Sequence, residues 1–311
     1  MTVSIVFMGT PDFAVPPLLA LHKAGFSIPL VVSQPDRPKG RGRKLDETPV
    51  KKAAMELGIP VIQPQKINTD DTFSIIEAIR PDFFVVVAFG QIIGERLLSI
   101  PKFAPINIHA SLLPDYRGAA PIQRAILGGE SLTGVTTMRM DRGMDTGDML
   151  LVQTMAILDD DTTETLGSRL ARLGATLIVQ TIEGYMAGRI SPSPQDHEKA
   201  TYAPMLSKQE GRINWEHPAK QLDCFVRGMD PWPGAFTFLG DKRFRIIKAM
   251  ALDIDGNAPP GTVLDSAPGT LVIQAGKGAL SIREIQGESG KRLPIGDFLR
   301  GFPVPKASCF E

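Results

Sequence analysis

The chain has 311 residues, 43% of them hydrophobic, and its 34 basic and 34 acidic side chains cancel to a formal charge of zero. At roughly 150 residues per domain this is the composition of a soluble globular protein of two domains, and it excludes disorder or a coiled coil as a description of the whole. The longest clean apolar run, Phe83 to Phe89, falls far short of the roughly 20 residues that a membrane-spanning helix needs, so no membrane partner is expected.

The chain opens directly on T-V-S-I-V-F-M with no basic leader, which predicts no targeting peptide and a cytoplasmic protein. Cys224 and Cys309 stand far apart and outside any CxxC arrangement, so neither a disulfide framework nor a zinc cluster is expected. Four histidines, none in an HExxH pattern, predict no metal centre.

Short apolar runs then alternate with amphipathic stretches, which predicts an α/β domain with a mostly parallel sheet covered by helices. Candidate strands are Val3 to Met8, Ile28 to Val32, a short one near Val61, Phe83 to Ala88 and Pro105 to His109. Candidate helices are Phe13 to Ala24, Pro49 to Leu57 and Asp71 to Ile79, each closed by a Gly or Pro. Gly134 to Met140 alternates, as an edge or antiparallel strand does, and a long helical pattern runs from near Thr162 to about Met186. Ile190 to Lys208 is Pro-rich and aperiodic, which places a linker there. Beyond it, one short helix and several short strands separated by Pro/Gly turns predict a small OB-like β-barrel.

Zero net charge argues against a nucleic-acid partner, but the charge is unevenly spread. Between Ser33 and Lys52 there are seven basic and three acidic residues, a local +4. Residues 34–44 hold two prolines before a helix and are predicted to be a long, exposed loop. A solvated loop is the commoner fate of such a sequence; a phosphate contact is the functional one.

No GxGxxG or GxxxxGK[ST] occurs, which argues against NAD and against a P-loop. In P-I-N-I-H-A-S-L-L-P the strand period puts Asn107 and His109 on one face, at the carboxyl end of a buried strand. A single His of this kind is most often a satisfied core residue, but two adjacent buried polar side chains need partners or a use. The turn D-R-G-M-D-T-G-D does not fit a calcium loop, and can aim Asp145 at His109. An Asn/His/Asp set with no Ser or Cys beside it polarises a carbonyl for an external nucleophile.

Together, N-I-H-A-S-L-L-P-D-Y-R-G-A-A-P-I-Q-R and the later G-M-D-T-G-D-M-L resemble the signature of the folate-dependent formyltransferases, which move a formyl unit from 10-formyltetrahydrofolate to an amine. Within that family M-G-T-P-D-F, Q-P-D-R-P-K-G-R-G-R-K-L and P-W-P-G resemble the members that formylate the methionine on initiator tRNA. Phe89, Gln91 and Gly94 depart from the more usual residues there.

The resemblance implies a Rossmann-like catalytic domain over residues 1–189, a linker over 190–206 and an OB-like tRNA-binding domain over 207–311. It makes Asn107, His109 and Asp145 catalytic, and places Phe89, Gly90, Ile92, Ser111, Leu112, Leu113 and Pro114 around the folate. With that implied acceptor, the functional reading of the basic segment is that Arg37, Lys39, Arg41, Arg43 and Lys44 contact initiator methionyl-tRNA, and that a basic face of Lys242, Arg243, Arg245 and Lys248 holds its phosphates. A monomer is expected. The alternatives are a relative acting on a small amine or hydrolysing the folate, or a non-catalytic RNA-binding protein. Trp215 and Trp232 could stack on bases, and core packing is the favoured expectation.

Overall fold

Continuous apolar strands and capped helices alternate through the first half of the chain. The computed structural model describes residues 2–39, 44–254, 256–288 and 290–311. In chain order the elements are β1 (Ser4–Gly9), α1 (Val15–Lys23), β2 (Ser27–Val32), β3 (Arg37–Lys39), β4 (Lys44–Asp46), α2 (Pro49–Glu56), β5 (Val61–Ile62) and α3 (Asp70–Ile79). Then come β6 (Phe83–Val87), α4 (Glu95–Leu98), β7 (Ala104–His109), α5 (Pro121–Leu127), β8 (Leu132–Arg139), β9 (Met149–Ala156) and α6 (Thr163–Met186). Local chemistry sets the helix starts: Thr48 accepts from the Lys51 N–H ahead of Pro49, and Thr69 accepts from the Thr72 N–H.

Seven strands form one sheet in the order β5-β2-β1-β6-β7-β8-β9. β5 through β7 are parallel, and all five residues of β6 are buried, as a sheet covered on both faces requires. β8 runs antiparallel to β7, as its alternation predicts, but it is interior: the edge belongs to β9, which the sequence reading leaves unassigned. The chain winds one way from β1 to β2 and β5, and the other way from β6 to β7. The carboxyl ends of β1 and β6 therefore mark the switch point where open α/β sheets bind ligands.

The predicted loop over 34–44 contains a hairpin instead. β3 and β4 pair antiparallel, with Arg37 opposite Asp46 and Lys39 opposite Lys44. Its base is tied by side chains that simple turn statistics do not register. Lys51 Nζ donates to Asp36 Oδ2 at 2.5 Å, and Gln63 Nε2 donates to Asp36 Oδ1 at 2.6 Å and to the Gln34 carbonyl at 2.8 Å.

The chain divides into two compact units, Met1–Pro121 with Leu132–Ala156 and Gly167–Ala203, and Ile122–Ser131 with Ile157–Leu166 and Pro204–Glu311. The second contains α7 (Ala219–Met229), β10 (Ala235–Leu239), β11 (Lys242–Leu252), β12 (Val263–Asp265), β13 (Val272–Gln274), β14 (Ala279–Gly287), β15 (Leu293–Pro294) and α8 (Ile295–Gly301). Its strands form an antiparallel sheet in the order β10-β11-β14-β13-β12, with β15 paired to β14. Leu222, Val226, Phe244, Ile246, Leu280 and Phe298 belong to its core.

Candidate active site

β7 delivers two polar side chains to the carboxyl edge of the sheet, because Ile106 and Ile108 are buried in the period between them. His109 Nε2 donates to the carbonyl of Tyr116 at 3.0 Å, since a carbonyl can only accept. That leaves Nδ1 as the edge of the ring facing Asp145 Oδ2, at 3.6 Å. The Asn107 amide donates to Asp145 Oδ1 at 3.4 Å. The structure thus brings together the three residues expected to act together. The two contacts are long, so both the imidazole edge and the Asn107 N–H have room to engage a further oxygen.

Asp145 is presented by the turn between β8 and β9, and its backbone is left-handed, with φ +55°. A non-glycine residue in this region costs about 1–3 kcal/mol unless its surroundings hold it. Several contacts do. Asp141 Oδ1 accepts from the Gly143 N–H at 2.9 Å and the Thr146 hydroxyl at 2.7 Å, folding the turn on itself. Gly118 N–H donates to Asp145 Oδ2 at 2.9 Å, and Gln195 Nε2 donates to the Asp145 carbonyl at 2.9 Å.

Gly118, Tyr116 and Gln195 were not singled out by sequence reasoning. The first two lie inside the Y-R-G motif, where only the glycine carried a signal. Gln195 lies in the expected linker, and an isolated amide among prolines carries none. Residues of that stretch are built into the first unit: Ser193 and Met149 exchange two backbone hydrogen bonds, Thr201 Oγ1 accepts from the Tyr116 N–H at 2.8 Å, and the Ala203 N–H donates to the Arg117 carbonyl at 2.7 Å.

The residues expected around a folate are placed unevenly. Ser111 is fully buried and donates to the Asp115 carbonyl at 2.5 Å, while Thr136 of β8 accepts from the Leu113 N–H and donates to the Ser111 carbonyl, fixing the S-L-L-P turn beside β7. Leu113 is buried, and Leu112 and Pro114 are half-buried. Phe89 is 2% exposed and packed in the core with Val86 and Ile93, and its carbonyl accepts from Thr10 and Gln34. Ile92 is 84% exposed, and Gly90 is left-handed at φ +82°. Gln91 and Gly94 serve the local backbone: Gln91 Oε1 accepts from the Ile67 N–H, and the Gly94 N–H donates to Asn68 Oδ1.

Of the expected RNA contacts, Arg41 and Arg43 lie outside the described residues, Arg37 is exposed, and Lys39 and Lys44 stand opposite each other in the backbone register of the hairpin. Lys242, Arg243, Arg245 and Lys248 do not form one face, because strand alternation separates them. Lys242 shares the side of Phe244 and lies over the Phe302 ring, Arg243 and Arg245 point the other way, and Lys248 follows a register shift. Arg245 is engaged, donating to Asp230 Oδ1 at 3.0 Å and to the Pro231 carbonyl at 2.6 Å, and burial lowers its guanidinium pKa from the ordinary arginine value.

The expectation of core packing holds for Trp215, which is buried with its indole N–H on Thr237, and fails for Trp232, which is 47% exposed. Trp232 lines an open groove with Lys208, Phe236, Phe238 and Arg243. Among the described residues no group of His, Cys, Asp and Glu is arranged to hold a metal ion, and no helix is long and apolar enough to cross a membrane.

Residues 1–182 match the formyl transferase family, and residues 205–303 match the formyl transferase C-terminal domain. The chain belongs to the formyl transferase family. Curated formyl transferases resemble it over nearly its whole length: the methionyl-tRNA formyltransferase of Caldanaerobacter subterraneus subsp. tengcongensis is 44% identical over 308 residues, 99% of each chain. That of Citrifermentans bemidjiense is 47% identical over 300 residues, 96% of this chain and 94% of its own. Among solved structures, the sugar 3N-formyl transferase WlaRD, in the presence of dTDP and 5-N-formyl-THF, superposes with TM-score 0.67 at 20% identity, covering 94% of this chain and 100% of its own. Methionyl-tRNA formyltransferase from Clostridium thermocellum gives TM-score 0.54 at 17% identity, covering 82% and 95%. At these identities the structures establish the shared formyl transferase fold.

Proposed function

We propose that this formyl transferase moves the formyl group of 10-formyltetrahydrofolate to the α-amino group of methionyl initiator tRNA. One observation carries the proposal: relatives 44% and 47% identical across essentially the whole chain are methionyl-tRNA formyltransferases. The convergence of the Asn107, His109 and Asp145 side chains at the end of β7 supports it. A small amine or water as acceptor is not favoured, because the likeness at this level extends through both units.

The chemistry of the donor set fits a formyl transfer. An α-amino group titrates near 8, so a useful fraction is already nucleophilic at neutral pH, and the protein's task is positioning and charge stabilisation. The Nε2–H of His109 is committed to Tyr116, so Nδ1 is the ring nitrogen left to donate to the formyl oxygen. Asn107 Nδ2 supplies the second donor. Both stabilise the negative charge that develops on that oxygen as the amine adds. Asp145 keeps the imidazole oriented, and takes the proton released by the attacking nitrogen for delivery to the departing folate nitrogen. The carbon–nitrogen bond to the amine forms and that to the folate breaks, so one proton crosses the site per transfer.

The exposed Ile92 and half-buried Leu112 and Pro114 offer apolar contact to a flat ring system, with Phe89 and Gly90 contributing backbone. The exposed Arg37, and separately the exposed Lys242, Arg243 and Lys248 of β11, contact tRNA phosphates as individual cations. Asp145→Asn tests the catalytic role. It lowers kcat by about 10²–10⁴-fold, the usual share of acid–base catalysis, with little change in KM for either substrate. A near-parental kcat removes Asp145 from the mechanism.

A further inference from the structure

Gln195 is 5% exposed, and every hydrogen-bonding position of its amide is used. Oε1 accepts from Nε and Nη2 of Arg117 at 3.0 and 2.6 Å, and Nε2 donates to the carbonyls of Asp145 and Gly147 at 2.9 and 2.7 Å. A guanidinium only donates and a carbonyl only accepts, so these partners fix which end of the amide faces which way.

Arg117 is itself 2% exposed, and its side chain bonds to the neutral Gln195 amide and to His197 Nδ1 at 3.1 Å. Burying a cation costs several kcal/mol, and a neutral amide returns less of that than a carboxylate does. Stability alone is therefore a poor account of the pair, whereas orienting the amide is a use only a rigid forked donor serves well.

What the amide grips is the segment most in need of holding. Asp145 is left-handed, and a Cβ at Gly147 would meet the Arg139 carbonyl at 1.8 Å, so neither residue has slack. The two hydrogen bonds from Gln195 oppose the strain of a left-handed non-glycine residue at Asp145. Losing them lets the turn relax.

We infer, taking as given the role proposed above for Asp145, that Gln195, oriented by Arg117, is a positioning residue for formyl transfer: it locks the 145–147 turn so that the carboxylate faces Asn107 and His109. Gln195→Glu separates the two ends of the amide. It keeps oxygen acceptors for Arg117 and puts an oxygen where two carbonyls need an N–H.

Single-turnover and steady-state formyl transfer are measured for the parent, Gln195→Glu, Asp145→Asn and the double variant, with 10-formyltetrahydrofolate and methionyl-tRNA. Gln195→Glu lowers kcat about 10- to 100-fold, the loss that a displacement of roughly 1 Å produces, with both KM values within about threefold. Added to Asp145→Asn it costs less than about twofold more, because it acts through that carboxylate. A purely structural role would not give this non-additivity.

A folded Gln195→Glu enzyme with parental kcat, or the same fold-loss in the Asp145→Asn background, overturns the inference. A parental kcat for Asp145→Asn overturns instead the role of Asp145. If Gln195→Glu does not yield folded protein, Gln195→Asn, whose amide falls a methylene short of both carbonyls, is judged by the same split and the same cycle.

Discussion

The backbone N–H of Gly118 donates to the carboxylate of Asp145 at 2.9 Å across 27 residues of sequence. One end of that bond lies in the turn after β7 and the other in the turn after β8, so it ties the two segments that carry the site. Gly118 is held at φ +121°, and a Cβ there would meet the Ala203 carbonyl at 2.8 Å. Gly118→Ala therefore displaces the donor. It is expected to lower kcat by about tenfold or more, and stability by about 1–3 kcal/mol, read from denaturant unfolding and initial rates on the same preparation.

The exposed cations of the second unit are expected to act through phosphates. Lys242→Ala and Arg243→Ala each raise the KM for tRNA, and each reduces the slope of log affinity against log salt by roughly 0.7–0.9 for every phosphate that is no longer neutralised. Arg245→Ala behaves differently, since Arg245 is paired with Asp230: it lowers stability and leaves the salt slope in place. A salt titration of tRNA binding checks all three.

The two tryptophans separate by burial. Trp215→Ala is expected to cost roughly 3–5 kcal/mol, as a core truncation that also strips Thr237 of its indole donor. Trp232→Ala stays within about 0.5 kcal/mol, as exposed sites do. Thermal unfolding of both variants distinguishes them.

Acid should loosen the base of the β3–β4 hairpin. The Lys51 ammonium, helped by Gln63, holds the Asp36 carboxyl below its ordinary value of 3.8. A carboxyl lowered on folding adds stability that is present above the unfolded value and is lost as pH falls through the folded one. Stability should therefore fall below about pH 4 in the parent, and more gently in Asp36→Asn, as measured by unfolding between about pH 2 and 5.

The parallel sheet was legible because its strands are continuous apolar runs, and Asn107 with His109 was legible because alternation along one strand fixes which side chains share a face. Asp145 was legible as the acid of a Gly-rich turn. The groups that hold it were not: Gly118 and Gln195 act through bonds between segments 27 and 50 residues from Asp145, and no local period encodes such a pairing. The basic face on β11 failed for the opposite reason, since charge was counted along the chain and a strand sends neighbours to opposite sides. Trp232 is exposed against the expectation of core packing because composition does not say which aromatic the core takes.

The most direct test of the proposed activity compares acceptors. Initial rates of formyl transfer from 10-formyltetrahydrofolate are measured with initiator methionyl-tRNA, with free methionine and with no acceptor. Remote binding energy from the tRNA should raise kcat/KM for methionyl-tRNA by about a thousandfold or more over free methionine, with negligible turnover when no acceptor is present. Equal efficiency on free methionine, or folate hydrolysis at a comparable rate without acceptor, would contradict the account.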